Sequence, residues 1–335
     1  MRRRTFLSVL AAGTAASAMP ARVFGQNQII MKLGTSTLQD SQHQWMIDFA
    51  KIVDTKSESR IKVEIYPASQ LGATPRMIEQ TQMATIQGVV TPPEFLGGIN
   101  EAYGILSAPG EFSDLEHTAR TLSDPELNDF VFSLGESKGL KGLGLFISGP
   151  TAFCTRTLWK TPEEFSGAKV RVLAAKLQQE QIRALGGTPI PMPPSEILPA
   201  LQQGTLDAVM SCIPVMEGLG FMDGAKYFLE TNHGSISSFA AISMEWFEDL
   251  PSDLQEIIVT AGQEATQTVK QFSIDDVSDA KAQWTKKGGE IVPLSADERR
   301  KFLDTLLPVG PKIVAENSGM QSAYDIYKAA IERTR

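Results

Sequence analysis

The sequence predicts an α/β protein built from two compact lobes, and three observations carry this prediction. Residues 165–214 alternate short strands with amphipathic helices on short links, which is typical of a parallel α/β unit. The chain has 335 residues and 42% hydrophobic content, enough for two lobes. An apolar stripe also predicts one helix over residues 252–287. A helix of roughly 36 residues is about 54 Å long, which exceeds a single lobe.

The first lobe is predicted from apolar runs that end at polar or proline-rich links. Its first helix carries Trp45 and Phe49 at helical spacing. Residues 148–150 form a natural crossing to the other lobe, and the last strand of the set returns from it. In chain order, the predicted strands are 29–33, 61–66, 88–90, 142–147 and 236–244.

The second lobe is predicted around a strand over residues 169–172, in which alternation places Arg171 on the opposite face from its valine neighbours. The helix that follows ends at Gly186, because glycine accepts the left-handed conformation of a C-terminal cap. Ser195 is the expected N-cap of the next helix, which ends at Gly204 before a third strand.

These elements divide the chain into two discontinuous lobes and a last helix. Ser252 and Gln255 have the spacing of a capping box at the start of the long helix. The predicted assignments are 26–148 plus 237–272 for lobe I, 149–236 plus 273–319 for lobe II, and 320–335 for the C-terminal helix.

Arg171 is the main candidate binding residue. Ligands of parallel α/β sheets gather outside the carboxyl ends of the strands, and Arg171 lies near such an end. A guanidinium is always charged and fork-shaped, so it suits a carboxylate. The alternative is a structural ion pair between Arg171 and a neighbouring Glu or Asp.

The opposite wall of the cleft is predicted from strand ends and nearby loops. Thr37 and Gln39 follow the first strand, Thr91 begins the loop Thr91-Pro92-Pro93-Glu94 after another, and Phe239 lies in the returning strand. For Thr37, Gln39 and Phe239, the alternative is that each is an ordinary loop or core residue.

The first 25 residues are predicted to be an export signal, because a basic head precedes a short apolar stretch. Residues 3–7 have the pattern of a twin-arginine signal, although a general secretory leader would predict the same destination, the periplasm. Cleavage after Ala18 or after Gly25 fits the small-residue rule. No long apolar run follows, so the mature protein is expected to be soluble.

The charge and the reactive side chains narrow the function classes. The net charge is −8, and removing the four arginines of the leader leaves −12, which argues against nucleic acid as a partner. The three histidines show no ligand spacing, so neither a metal site nor a cofactor is expected. Cys154 and Cys212 either form a disulfide or remain two buried free thiols.

Seven short segments match one known family in sequence and order: 61–67, 70–72, 165–172, 185–189, 195–196, 200–207 and 250–255. With them the chain resembles the solute-binding proteins of tripartite ATP-independent periplasmic (TRAP) transporters, which include C4-dicarboxylate and sialic acid binders. The resemblance implies a two-lobed periplasmic binding protein fold (type II-like), with a long helix spanning both lobes. It also implies a receptor that delivers a small-molecule carboxylate to a small and a large integral membrane protein. A monomer is expected, although the sequence leaves the oligomeric state open.

The resemblance places the family's invariant, carboxylate-binding arginine on Arg171, but other positions depart from the pattern. The second arginine of sialic-acid-type members falls on Thr151, and their acidic cleft residue falls near Pro92. Their aromatic residue falls near Pro194 and their asparagine near Ser211. These replacements are shorter or less polar than the family's residues, so fewer side chains can hydrogen-bond a ligand. We therefore expect the ligand to be a monocarboxylate, or an acid whose other end is apolar or amide-like. A dicarboxylate requires another cation in the cleft.

Two other function classes compete with a TRAP receptor. An exported enzyme acting on a small organic acid is compatible with the export signal, and Glu196 with Asp207 could act as a carboxylate pair. However, the sequence has no GxGxxG after a strand, no GxSxG elbow and no histidine-rich metal spacing. A receptor of an ATP-driven (ABC) importer would differ only in its membrane partner.

Overall fold

The computed structural model describes residues 28–110 and 112–335. The predicted export signal, residues 1–25, lies outside the described residues. Within them, the strands are β1 Ile29–Thr35, β2 Ile61–Tyr66, β3 Gly88–Thr91, β4 Leu140–Pro150, β5 Ala152–Thr155, β6 Lys169–Val172, β7 Thr188–Pro191, β8 Ala208–Ser211, β9 Tyr227–Leu229, β10 Ser235–Ser243 and β11 Glu290–Val292.

The α-helices of the described residues connect and flank these strands. They are α1 Ser41–Lys56, α2 Thr74–Gln82, α3 Leu115–Leu122, α4 Pro125–Ser133, α5 Lys176–Ala184, α6 Pro194–Gln202, α7 Ile213–Gly218, α8 Met244–Glu248, α9 Ser252–Lys286, α10 Ala296–Leu306, α11 Val309–Glu316 and α12 Gln321–Arg333. No helix of the described ranges combines the length and the apolarity needed to cross a membrane.

Two mixed sheets form the centres of the two lobes. The sheet of lobe I has the order β2-β1-β3-β10-β4, with β10 antiparallel to both of its neighbours. The sheet of lobe II has the order β11-β9-β5-β8-β6-β7, in which β6 runs parallel to β7 and β8. The predicted α/β unit in residues 165–214 is therefore confirmed. Its strand β7 contains two prolines and lies at the sheet edge, where a missing N–H does no harm.

Between β1 and β11, the chain crosses between the lobes at three places. The first crossing is at Thr151, one residue beyond the predicted segment 148–150, because β4 continues through Pro150. The second leads from β9 back to β10, as expected for the returning strand. The Thr151 amide donates to the carbonyl of Gly234 (3.0 Å), which ties these two crossings together.

The third crossing is α9, a single helix of 35 residues. Its first half packs in the lobe I core with Trp45, through a stripe that includes Leu254 and Val269. Its second half packs in the lobe II core through Val277 and Trp284. The prediction of a long helix that spans both lobes is confirmed.

Two predicted helix starts are wrong. Helix α6 begins at Pro194 with Pro193 as its N-cap, so Ser195 is not the cap; a proline preset for helical φ starts this turn. Helix α9 has Pro251 as its N-cap, and the expected capping box with Ser252 is absent. The side chain of Gln255 instead donates to the carbonyl of Leu250 (2.9 Å).

The C-terminal helix α12 packs onto lobe I. Ala323, Tyr327 and Ala330 are buried in the same hydrophobic cluster as Val89 and Leu145 of the lobe I sheet. This last helix therefore packs against the lobe that contains β1.

Gly149 lies at the first crossing with a φ of +149°, and a Cβ there would stand 3.0 Å from Cys212 Cβ and 3.3 Å from Val277 Cγ2. Gly149→Ala should cost about 1–3 kcal/mol in backbone strain and a further ~1–3 kcal/mol in overpacking. Gly167→Ala is the matched control, because Gly167 also has a positive φ (+74°) but open space around it. Thermal unfolding of both variants compares them, and equal losses would contradict the crowding at the crossing.

Candidate functional site

Arg171 is a buried cation whose guanidinium has only part of its hydrogen bonds satisfied. It projects from β6 and is only 1% exposed. Its Nε donates to the carbonyl of Met192 (3.0 Å) and its Nη1 to the carbonyl of Met210 (3.3 Å), so the backbone beyond β7 and within β8 clamps the guanidinium. Its Nη2 is buried without a partner. In the described residues Arg171 makes no ion pair, which weighs against a purely structural role.

Burial removes the Arg171 charge from water and lowers its pKa to about 9. The group still carries its charge at neutral pH. A buried charge is costly unless it is paired, and Nη2 has no acceptor. The arrangement is suited to an anion that supplies this acceptor.

Three other predicted residues lie at the same edge of lobe II. Ser211 ends β8 and is buried, and Ala152, the neighbour of Thr151, lies opposite it in the antiparallel ladder. Thr151 is buried at the first crossing. Pro194 is buried at the start of α6, two residues beyond the Met192 carbonyl that holds Arg171. The structure therefore brings Arg171, Thr151, Pro194 and Ser211 to one edge.

Thr91 and Pro92 lie at the end of β3 in lobe I. Thr91 is buried and its hydroxyl has no partner. Pro92 caps a short 3-10 helix, Pro93–Leu96. The side chain of Phe95 packs against the lobe I core and also against an apolar cluster that contains residues of both lobes, so this short helix lies where the lobes meet.

The other three predicted residues do not join this group. The Thr37 hydroxyl is buried and donates to Asp40 (2.8 Å). Gln39 is exposed with a φ of +58°. Phe239 is buried in the lobe I core, where its ring packs on Tyr103 and Phe132 with centroid distances of 5.5 and 5.9 Å. The structure thus gives these residues loop or core surroundings.

Glu94 is the residue that the sequence reasoning missed. It lies in the 3-10 helix after Pro92, is 0% exposed, and neither carboxylate oxygen has a hydrogen-bond partner. Burial raises the pKa of Glu94 to about 8, although the positive charge of Arg171 opposes this shift. The sequence signal was available, because Glu94 is the acid in a loop at a strand's carboxyl end. Comparison with the sialic-acid-type members, position by position, placed their acidic cleft residue near Pro92, two residues earlier.

The two lobes are closed on each other. Gln181 of α5 donates from its side chain to the carbonyl of Ser107 in lobe I (2.8 Å), and both residues are buried. An apolar cluster of Leu173, Cys212, Val215 and Ile236 also joins the lobes.

Cys154 and Cys212 are both buried and free, so the free-thiol alternative is the one found.

One buried carboxylate, Asp40, and one half-buried carboxylate, Asp276, lie near the crossings. Asp40 caps α1 by accepting the His43 amide (3.1 Å), and its other oxygen is buried without a partner. Asp276 of α9 also has a buried, unpartnered oxygen. Burial raises the pKa of Asp40 to about 6, and burial together with the Asp40 charge raises that of Asp276 to about 7. In the described part of the chain, no group of three His, Cys, Asp or Glu is arranged for a metal ion.

The proposed carboxylate pair of an enzyme does not form. Asp207 accepts the backbone amide of Lys169 with its side chain (2.8 Å), so it fixes a turn. Glu196 is exposed in the first turn of α6. Neither side chain is held in the geometry of an acid–base pair.

Two α/β lobes, a helix shared between them, and a buried cation at their junction define the class of two-lobed solute-binding proteins. Residues 34–317 match the family described as bacterial extracellular solute-binding protein, family 7. The match covers most of the chain, which therefore belongs to this family. The resemblance noted from the sequence is confirmed.

Named relatives extend over nearly the same length. The chain is 27% identical to the 2,3-diketo-L-gulonate-binding periplasmic protein of Escherichia coli over 278 residues, 82% of this chain and 84% of that protein. It is 25% identical to the C4-dicarboxylate-binding periplasmic protein of Rhodobacter capsulatus over 287 residues, 85% of each. A crystal structure of a TRAP periplasmic solute-binding protein from Desulfovibrio salexigens with bound orotic acid superposes with a TM-score of 0.85. It is 25% identical, over 92% of this chain and 100% of that one.

Asp276→Asn should stabilise the protein in a pH-dependent way. The folded-state pKa is raised from 3.8 to about 7, so the stability contributed by this group is complete below pH 3.8 and is lost as the pH rises through 7. An asparagine stays neutral at both pH values. We therefore expect the free energy of unfolding to rise by about 1–2 kcal/mol at pH 8, after allowing for partial exposure, and to change little at pH 4. Denaturant unfolding at both pH values measures it.

Asp275→Asn is the matched control, because Asp275 is the exposed neighbour on α9. Its effect should stay within about 0.5 kcal/mol at either pH. A gain for Asp276→Asn that is the same at pH 4 and pH 8 would contradict the raised pKa.

Proposed function

We propose that this protein captures a small organic acid between its lobes and delivers it to the small and large membrane subunits of a TRAP transporter. The observation that carries the proposal is the buried Arg171 guanidinium, with two donors fixed by backbone carbonyls and Nη2 left without an acceptor. A ligand carboxylate would complete its hydrogen bonding. Charge-assisted bonds of this kind are about twice as strong as neutral ones.

Closure supplies the coupling between binding and delivery. A ligand that contacts both lobes stabilises the closed state by its difference in affinity for the closed and open forms. Arg171 and Ser211 belong to lobe II, whereas Thr91 and Pro92 belong to lobe I. An acid held among them has to be enclosed by both lobes.

The ligand class follows from the charges on the cleft side of lobe II. Arg171 supplies the main charge contact, while the positions of Thr151, Pro194 and Ser211 carry short or apolar side chains. We therefore propose a ligand with one dominant carboxylate and a small body. The named relatives bind a diketogulonate and C4-dicarboxylates, and the Desulfovibrio protein holds orotic acid, all of them small organic acids.

Location and partners complete the proposal. A chain with a basic, apolar leader in a family described as extracellular is expected in the periplasm, with residues 1–25 removed. The receptor is proposed to work as a monomer, without a cofactor and without binding nucleic acid. Two receptor relatives named as periplasmic binding proteins favour this role over an exported enzyme, and the TRAP structure favours it over a receptor for an ABC importer.

Arg171→Lys should weaken binding of an acid strongly, because a lysine cannot keep both carbonyl contacts and still reach the ligand as a fork. We expect a loss of about 2–5 kcal/mol in binding free energy. The assay is a thermal-shift screen with orotate, succinate and 2,3-diketo-L-gulonate, followed by titration calorimetry of the best acid. No catalytic turnover of that acid is expected.

Lys169→Ala is the control, since Lys169 is an exposed cation on the same strand. It should leave the affinity within about twofold, because surface charges contribute little. An unchanged affinity in Arg171→Lys, or a screen in which no acid raises the melting temperature, would contradict the proposed function.

A further inference from the structure

Two helices of lobe II begin at the edge that carries Arg171, and each of them contacts lobe I. Helix α5 follows β6, the strand of Arg171, and α7 follows β8, which ends at Ser211. Side chains make the contact of α5, whereas a glycine makes that of α7. Each helix therefore links the proposed ligand site of lobe II to the surface of the opposite lobe.

Helix α5 is divided between the two cores. Its Ile182 packs in the lobe II core, whereas Leu177 is buried in the lobe I cluster. Gln181 is 1% exposed, and its Nε2 donates to the carbonyl of Ser107 (2.8 Å), the last residue of the lobe I 3-10 helix Glu101–Ser107. Residues four apart lie on the same face of a helix. One face of α5 therefore supplies both an apolar and a polar contact to lobe I.

Gly104 allows α5 to approach this 3-10 helix closely. A Cβ on Gly104 would stand 3.3 Å from the Cβ of Ala175, the N-cap residue of α5. Carbon atoms in favourable contact are about 3.5–4.0 Å apart, so a larger residue at this position would push the two elements apart. The glycine keeps Gln181 within hydrogen-bonding distance of Ser107.

Gly218 makes the contact of α7 with lobe I. It is the last residue of α7, and a Cβ at this position would lie 2.6 Å from the carbonyl oxygen of Leu38, in the loop after β1. Helix α7 belongs to lobe II, because Ile213 and Met216 are buried in the core of that lobe. A carbon atom in contact with a carbonyl oxygen is normally about 3.3–3.6 Å away. Any side chain at position 218 would therefore force α7 and this loop apart.

We infer that Gln181 and Gly218 are positioning residues for ligand capture, which set the affinity for the acid by holding the lobes closed and without touching the ligand. A contact made only in the closed state shifts the equilibrium between the open and closed states by its own free energy. The apparent affinity for every ligand then changes by the same factor. A residue that touches the ligand would instead change the selectivity among acids. The inference rests on the proposed function and adds two residues outside the ligand contacts.

The test measures the affinities and dissociation rates of orotate, succinate and 2,3-diketo-L-gulonate for Gln181→Ala and Gly218→Ala. Gln181→Ala should weaken each acid that the wild type binds about 2–10-fold, the range for a neutral hydrogen bond. Gly218→Ala should weaken each of them about 5–100-fold, the range for overpacking. Both losses should appear mainly as faster dissociation and should leave the order of the acids unchanged.

The melting temperature of the ligand-free protein separates closure from folding. Alanine is a better helix former than glycine, and the inference places the clash of Gly218→Ala only in the closed state. Ligand-free Gly218→Ala should therefore melt no lower than the wild type.

Spin labels report closure directly. Gln70→Cys in lobe I and Glu196→Cys in lobe II give two exposed labelling sites, while the native thiols are buried. The wild type should show a population with a short distance between the labels, both with and without an acid. Gly218→Ala should lose this population, and Gln181→Ala should reduce it.

Two matched controls change the same residue types away from the contacts between the lobes. The side chain of Gln179, also on α5, donates to the carbonyl of Ala174 within lobe II (3.3 Å). A Cβ at Gly98 would meet no atom within 4 Å. Gln179→Ala and Gly98→Ala should each keep the affinities within about twofold.

Three results would overturn the inference while the receptor function stands: an unchanged affinity in Gln181→Ala or Gly218→Ala, a loss confined to one acid, or a lower melting temperature of ligand-free Gly218→Ala. If none of the acids binds the wild type, the proposed function fails and the label distances alone decide. Unchanged label distances in both variants would then overturn the role in closure.

Discussion

The structure depends on one unpaired positive charge held between backbone carbonyls. Arg171 is buried, and within the described residues its own lobe offers it carbonyl groups but no carboxylate. A buried charge is costly unless it is paired, and here two backbone carbonyls hold it while Nη2 has no acceptor. Its position follows from the topology, since β6 lies between β7 and β8: Met210 of β8 supplies one acceptor, and Met192, just beyond β7, supplies the other.

The rest of the fold joins the two lobes on either side of this site. The long helix α9 belongs to both cores, so the lobes are joined by a rigid element as well as by two strand crossings. The crossings are crowded at Gly149, and buried acids stand beside them. The Gln181–Ser107 hydrogen bond adds a direct contact between the lobes. This organisation suits a receptor that signals ligand binding through its shape.

Local sequence patterns predicted much of this fold. The strand at 61–66 is confirmed with the predicted bounds, and the long helix ends within one residue of the prediction. Arg171 was found because alternation and a strand end specify its place. Glu94 was missed because comparison with the family without gaps indicated Pro92, two residues earlier, although the sequence places this acid in the loop at the end of a strand. The helix caps at Ser195 and Ser252 failed because proline starts these helices instead.

The most direct measurement is a crystal structure of the protein with the organic acid that it binds most tightly. The account predicts a ligand carboxylate oxygen at about 2.7–3.2 Å from Arg171 Nη2, with both lobes closed around the ligand. It would be contradicted by an Arg171 guanidinium that turns into an ion pair within its own lobe while the acid occupies the cleft elsewhere.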